Sequence, residues 1–528
     1  MDPESNPKPQ TAALERTASA SLPLTPRQRY WLLAAAAISS SVGLAAELLL
    51  GTLASYLVGN TALAYGVAVG GFLAAMGLGA YISQFLAVEN HQHQLLRVFF
   101  QIELLVAPLT AGLPLALFIL FVADGPLWLG LFLVTLILGI LSGLEVPLLT
   151  RMIERDRNVQ FALAGVLALD YVGALVGSLA FPILLLPLLG LFPTAVLIGT
   201  LPAFMVFRLG RLFRGMRSWS YWGLTVGIGL ALFIPFVIPL SDRLENTLYQ
   251  APIVSRKQST YQRIVLTRFG NDVRLFLDGD LQLSTVDEYR YHEALVHPAM
   301  SANPHRRQIL LLGAGDGMAL REILKWPEVT KVVLIELDPA VIQLAQKYPA
   351  LARSNAHALE DPRVEILYGD AFVLAPQLPQ TFDVIIADFP DPDRPALAKL
   401  YALGFYQRLF ARLAPEGIFV TQASSPFFAP RVIDCIATTL ATHHLHVYPY
   451  TVDVPSFGPW GFVLATREHP LEPTTLSLQV PTRFLTVATM PNLFQLPADL
   501  TLGQAKINRL VDPVIVQYQD DPRWAAYQ

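Results

Sequence analysis

Residues 308–338 read QILLLGAGDGMALREILKWPEVTKVVLIELD. Gln308 to Leu312 is a short apolar run, and the five residues Gly313-Ala314-Gly315-Asp316-Gly317 end it. The following residues, Met318 to Lys325, suit a helix, and Val332 to Ile335 is a second apolar run that stops at Glu336-Leu337-Asp338. A strand, a glycine turn, a helix and a strand within about thirty residues form a βαβ unit. Such a unit makes a parallel sheet that helices cover on both faces.

The same rhythm continues outward in both directions. A helix is expected around Ala340 to Lys347 and a third strand over Val364 to Leu367, ending at Gly369-Asp370. A fourth strand, Phe382 to Ala387, ends at Asp388-Phe389-Pro390-Asp391. Upstream, Tyr261 to Arg268 and Val273 to Leu277 alternate around Gly270-Asn271, a β-hairpin signal, and Tyr289 to Met300 reads as a helix. The expected fold is a Rossmann-like, methyltransferase-type α/β domain with a small N-terminal β-hairpin region. Ligands of such a sheet bind at the carboxyl ends of its strands. Glycines 313, 315 and 317 let a nucleoside approach the backbone, Glu336 suits ribose hydroxyls, and Asp370 suits an adenine amino group. A glycine turn with a later acid also fits dinucleotide enzymes and methyltransferases, so this pattern alone leaves the chemistry open.

The first half has a different texture. Of the 528 residues, 53% are hydrophobic and 15% charged, against roughly a quarter charged in a typical soluble protein. Mean hydropathy is +0.45, and 55 of the 78 charged residues follow Leu240. Seven apolar stretches of bilayer-spanning length are read at about 30–58, 61–86, 97–122, 125–149, 161–187, 190–207 and 219–240. Breaks fall at Gly59-Asn60, Glu89 to Gln94, Asp124-Gly125-Pro126, 151–157, Leu189-Gly190 and 208–217. The expected organisation is a disordered tail over 1–29, a transmembrane domain over 30–240, a catalytic domain over 253–466 and a C-terminal extension over 467–528. Gly66/Gly70 and Gly173/Gly177, spaced four apart, are expected to let membrane helices approach closely. Glu47, Glu145 and Asp170 lie inside apolar stretches, where an acid faces a partner or water and marks a candidate site.

Net charge −4 gives no basic face for nucleic acid, and the single Cys435 excludes an internal disulfide and a cysteine-built zinc site. His443, His444 and His446 lack a ligand set, so no metal is expected.

Several quoted motifs then accumulate. LDGDLQLS over 277–284 with DEYRYHE over 287–293, LLLGAGDGMALRE over 310–322, IELDP over 335–339, GDA over 369–371, and Asp388-x-x-Asp391-Pro392 stand in order. GIFVTQASSP over 417–426 follows. Together they resemble the spermidine synthase (polyamine aminopropyltransferase) family over about 253–466, and a multi-helix segment ahead of that domain resembles a membrane-bound bacterial subgroup. The resemblance implies aminopropyl transfer from decarboxylated S-adenosylmethionine to putrescine, giving spermidine and methylthioadenosine. The donor is then a co-substrate, and no cofactor is implied.

By that resemblance Asp388 is the catalytic base and Asp391 a partner for the diamine's charge. His292, Asp316 and Tyr291 lie on the amine side. Gln262, Glu336, Asp370, Ala371 and Pro395 contact the nucleoside. One departure falls at Val454 to Gly461, where the family's IPTYPSG-like loop is shorter and offers Phe457 in place of tyrosine, which leaves the acceptor amine open. Two rivals stand beside this reading: an S-adenosylmethionine methyltransferase, and a polyamine transporter or sensor using the intramembrane acids. Self-association, common in soluble relatives, is left open.

Loop charge places the N-terminus in the cytoplasm and, with seven spans, the second half outside. The donor is a charged nucleoside made inside the cell, so supply favours a multi-pass inner-membrane protein with a cytoplasmic catalytic domain. A re-entrant pair within 161–208 would reconcile the two.

Overall fold

The structure, a computed structural model, describes residues 24–58, 61–86, 92–123, 125–154, 159–249 and 251–519. The expected breaks at Gly59-Asn60, Asp124 and Arg155 to Arg157, and the tail up to residue 23, lie outside the described residues. The chain divides into two compact units, Met1–Leu248 and Tyr249–Gln528.

The first unit is helical. Among the described residues, seven helices are long and apolar enough to cross a membrane. They are α1 (Pro26–Val58), α2 (Thr61–Ile82), α3 (Gln92–Val122), α4 (Leu127–Glu154), α5 (Val159–Leu189), α6 (Leu191–Leu212) and α7 (Arg217–Leu248). Helix α5 carries a π-helical stretch at Phe181–Leu185 around Pro182, and Gly190 separates it from α6. Both helices have spanning length, so the prolines of 161–208 mark a local distortion and a break.

Three sequence expectations need correction. Residues 26–29 belong to α1 rather than to the tail. Arg97 and Arg151, which the loop-charge argument counts in the loops, lie on helices: Arg97 inside α3 and Arg151 in the last turn of α4, donating to the carbonyls of Ser83 (2.7 Å) and Leu86 (3.1 Å). Helix α3 alone is about 45 Å long at 1.5 Å per residue, longer than the roughly 30 Å of a hydrocarbon core. Basic residues therefore sit on helix ends. Finally, a Cβ at Gly66 or Gly70 would meet nothing within 4 Å. Spacing alone does not say which face a glycine pair presents. The close approaches are made by Gly173 and Gly177 against the α1 backbone, and by Gly79, Gly139 and Gly143 between α2 and α4.

The second unit begins with a four-stranded antiparallel sheet: β1 (Ile253–Gln258), β2 (Arg263–Phe269), β3 (Asp272–Leu277) and β4 (Asp280–Ser284). Strands β2 and β3 pair across Gly270-Asn271. After α8 (Glu288–Ala302), a seven-stranded sheet is built from β5 (Gln308–Gly313), β6 (Lys331–Glu336), β7 (Val364–Tyr368), β8 (Phe382–Asp388), β9 (Leu413–Gln422), β10 (His446–Val454) and β11 (Gly458–Thr466). Its order is β10-β11-β9-β8-β5-β6-β7. Strands β5 to β9 run parallel, and β11 joins β9 antiparallel.

The central parallel strands are apolar because helices cover both faces, whereas β7 at the sheet edge carries the exposed Glu365 and Tyr368. Ile309 to Leu312 and Val384 to Ala387 are fully buried. The crossovers α9 (Met318–Leu324) and α10 (Pro339–Lys347) serve β5–β6 and β6–β7, and α11 (Ala371–Leu374) follows β7. Strand order reverses between β5 and β8, where Gly313 stands opposite Asp388. A doubly wound sheet binds ligands at such a switch point.

Candidate active site

Asp388 ends β8 at that switch point, and three of the expected amine-side residues gather on it. The Tyr291 hydroxyl donates to Asp388 Oδ1 at 2.5 Å. His292, one residue further along α8, is buried with its Nδ1 against the Glu288 carbonyl (2.8 Å) and Glu288 Oε2 (3.0 Å). Arg321 of α9 completes this line, donating to both oxygens of Glu288 at 2.8 and 2.9 Å.

The charges in this cluster tune one another. Burial alone would lower the His292 pKa, but Glu288, Asp316 and Asp388 outweigh it and hold the imidazole near 9. Burial pushes Asp388 up to about 6, with Asp316 adding to the rise while His292 and the Tyr291 hydroxyl oppose it. The phenol of Tyr291, buried and beside Asp388, is held well above its ordinary value and stays a donor.

Asp316 uses one oxygen as a helix cap, accepting the Met318 amide at 2.7 Å. Its other oxygen has no hydrogen-bond partner among the described residues, and its charge is felt by both His292 and Asp388. One oxygen of this carboxylate thus caps the helix while its charge acts on the cluster.

Asp391 is near this cluster but answers to different partners. It accepts from Ser424 Oγ (2.8 Å), Gln422 Nε2 (3.2 Å) and Gln519 Nε2 (3.0 Å), and burial raises its pKa to about 6. Gln519 comes from the last described helix, at Ile515–Gln519, so the C-terminal extension supplies a side chain to the site. The wall beside Tyr291 is aromatic: Phe457, Trp460 and Phe462 have ring centroids 6.2, 6.4 and 5.2 Å from it. Phe457 lies on the β10–β11 turn, which Ser456 pins to Asp287 through 2.7 and 2.9 Å bonds.

The expected nucleoside-side residues line the neighbouring strand ends. Gly313 and Gly317 have φ of +77° and +81°, a left-handed backbone that other residues adopt at a cost. A Cβ on Gly315 would stand 2.7 Å from Glu336 Oε2, so glycine is what admits that carboxylate. Burial raises the Glu336 pKa to about 7, and Glu336 Oε1 accepts the Asp338 amide at 2.9 Å. Gln262 joins this group by donating to Asp338 Oδ2 at 3.2 Å. The Gly369 amide donates to the Glu336 carbonyl, which sets Asp370 and the buried Ala371 beside the end of β6. Asp370 caps α11 and pairs with Lys399 at 2.6 Å. Pro395 opens the short helix Pro395–Ala398 and is exposed.

Reading the motifs did not single out Glu288 or Arg321, although both lie inside quoted segments, nor Lys399 or Gln519. Glu416, Glu468 and His469 form one exposed group with oxygen and nitrogen atoms close together, on the surface.

A switch point with a glycine turn, a strand-end acid and a half-buried carboxylate bonded by a tyrosine is the arrangement of a group-transfer enzyme. Residues 288–474 match the spermine/spermidine synthase domain. A polyamine aminopropyltransferase of Ralstonia nicotianae is 40% identical over 509 residues, covering 93% of this chain and 97% of that protein. One from Streptomyces coelicolor is 39% identical over 526 residues, covering 94% and 95%. A crystal structure of spermidine synthase with the transition-state analogue AdoDATO aligns at 28% identity and a TM-score of 0.44, over 46% of this chain and 85% of that one. The chain belongs to the polyamine aminopropyltransferase family and is an aminopropyl-transferring enzyme.

Proposed function

We propose that Asp388 is the base for transfer of the aminopropyl group of decarboxylated S-adenosylmethionine to putrescine, giving spermidine and methylthioadenosine. The amine lone pair attacks the methylene beside the sulfonium. The carbon–sulfur bond breaks with its electron pair passing to sulfur, and the proton leaves the amine for Asp388. An alkylammonium has a pKa of roughly 10, so a placed base is needed near neutrality. Tyr291 orients Asp388, and the buried charge of His292 keeps it ionised near neutral pH. Asp391 takes the far ammonium of the diamine.

Glu336, Asp370, Ala371, Gln262 and Pro395 hold the donor as a co-substrate, and Asp316 takes its amine. That carboxylate disfavours the carboxylate tail of ordinary S-adenosylmethionine, which argues against methyl transfer. The observation that carries the reading is the grouping of Tyr291, His292 and Asp316 around Asp388 at the switch point. In Asp388→Asn, or Asp391→Asn, transfer falls by about a hundredfold or more while methylthioadenosine still binds. Near-wild-type turnover in both variants would retire the assignment.

The helical unit is proposed to span the inner membrane, supported by seven helices of sufficient length and apolarity. Donor supply favours a catalytic unit in the cytoplasm, and with seven spans that starts α1 on the far side of the membrane, against the loop-charge expectation. A fluorescent reporter that matures only in the cytoplasm, fused after Gln528, is expected to light up. Alkaline phosphatase activity at the same junction would reverse the orientation.

A further inference from the structure

The helical unit holds a second group of acids that the reaction does not use. Glu103 of α3 is fully buried, and one of its oxygens accepts from Ser39 Oγ of α1 at 2.6 Å. Its other oxygen, Oε2, is buried without a hydrogen-bond partner among the described residues. Glu145 of α4, 4% exposed, makes no hydrogen bond among the described residues and lies within reach of the charges of Glu103 and Asp170. No lysine, arginine or histidine pairs with any of the three among the described residues.

Four helices bring these groups to one depth. Ser39 lies thirteen residues into α1, Glu103 and Asp170 each eleven residues into α3 and α5, and Glu145 nine residues before the end of the oppositely running α4. At 1.5 Å per residue these are about 14–20 Å from one face. The packing agrees: Ser142, one turn from Glu145, sits against Gly43 of α1, and Gly173 of α5 abuts the Ala37 backbone.

Polar groups continue beyond that level. Thr110, two turns past Glu103 on the same face of α3, is fully buried with an unpartnered hydroxyl. Glu47, eight residues past Ser39 on the parallel α1, is 6% exposed at that second depth. On the other side, a cavity of about 530 Å³ opens between α2, α4 and α5. Its wall includes Leu163, which shares a face of α5 with Asp170 two turns away.

Carboxylates without a cationic partner in an apolar interior are costly, and a cation relieves the cost; Glu103 and Glu145 are the buried ones, while Asp170 is half-buried beside Ser40. The neighbours Ile102, Val106, Leu144 and Leu148 are buried and apolar, which suits an alkyl chain between ammonium heads. A metal ion needs its ligand atoms drawn together within a few ångströms, and among the described residues three acid or histidine groups come that close at Glu416, Glu468 and His469, not here. We infer that Glu103, Glu145 and Asp170 form a binding site for an aliphatic diamine inside the helical unit, separate from the catalytic one. The choice of a diamine over other organic cations rests on the aminopropyl-transfer reading, since diamines are that reaction's acceptors.

The test uses the full chain in detergent, with radiolabelled putrescine and equilibrium dialysis. The Asp388→Asn/Asp391→Asn variant disables the catalytic site and is expected to keep one saturable putrescine site. Adding Glu103→Gln/Glu145→Gln weakens that site about thirtyfold or more, the low end for losing a buried charge partner. Glu103→Asp/Glu145→Asp, which keeps both charges, retains saturable binding and guards against a folding artefact. No putrescine bound by the Asp388→Asn/Asp391→Asn chain, or binding indifferent to the glutamine changes, overturns the inference. Aminopropyl transfer is measured on the same samples. Transfer that survives Asp388→Asn/Asp391→Asn refutes the catalytic reading, while binding lost with the glutamine changes and kept with the aspartates supports the helical site in either case.

Discussion

Replacing Glu288 by Gln tests the line of charge that runs from Arg321 through Glu288 and His292 to Asp388. His292 is held near 9 against an ordinary 6.5, a difference of 2.5. At about 1.36 kcal/mol per unit this is about 3 kcal/mol favouring the protonated ring. Glu288 supplies both a hydrogen bond and a charge to that balance, and the opposing contribution is burial. Without the carboxylate, Asp316 and Asp388 alone oppose burial, so the pKa of the ring falls and its charge beside Asp388 weakens. Its Nδ1 still has the residue-288 carbonyl, now 2.8 Å away, as an acceptor, so the ring need not move.

The consequence is read at Asp388. His292 holds the Asp388 pKa down, so weakening that charge raises it above about 6. Asp388 works only when ionised, and activity disappears as pH falls through its pKa. Raising the pKa therefore moves the acid limb of log kcat upward, by about one pH unit, the low end for one neighbouring charge. Arg321 also loses a bidentate partner, so thermal melting is recorded alongside to confirm a folded variant. The assay is kcat against pH from about 5 to 9 for wild type and Glu288→Gln. A folded variant whose acid limb coincides with wild type would refute the reasoning.

Asp316→Ala is expected to weaken the decarboxylated donor while easing exclusion of ordinary S-adenosylmethionine. Calorimetry showing both weakened equally would reduce Asp316 to its role as cap of α9. Gln519→Ala removes a hydrogen bond to Asp391 and is expected to raise KM for the amine about tenfold, as for a bond to a charged group, with kcat little changed. An unchanged KM would make the C-terminal helix a passive cover.

The parallel sheet was legible because its strands are continuous apolar runs, a consequence of burial on both faces. Asp388, Asp316 and Glu336 were legible because each sits where such a run stops. The partners of these acids were not. Tyr291 and Asp388 are 97 residues apart in sequence, and only the motif resemblance linked them before the fold did. Gln519 is 128 residues from Asp391 and lies in a segment with no periodic pattern. Glu103 lies inside the third apolar stretch, 97–122, as Glu145 and Asp170 lie in theirs, and its spacing alone does not show how deeply it sits. Helix α3 begins at Gln92, and the extra five residues carry Glu103 more than a turn deeper. Strands β1 and β4 went unread because each is short and paired with only one neighbour.

The central claim is aminopropyl transfer at the Asp388 switch point. It is tested most directly by incubating the detergent-purified full chain with putrescine and, separately, each of the two donors. Products are then followed by mass spectrometry. The account predicts spermidine and methylthioadenosine in equal amounts from the decarboxylated donor, and no S-adenosylhomocysteine from the ordinary one. S-adenosylhomocysteine with a methylated amine, or no spermidine from the decarboxylated donor, would contradict it.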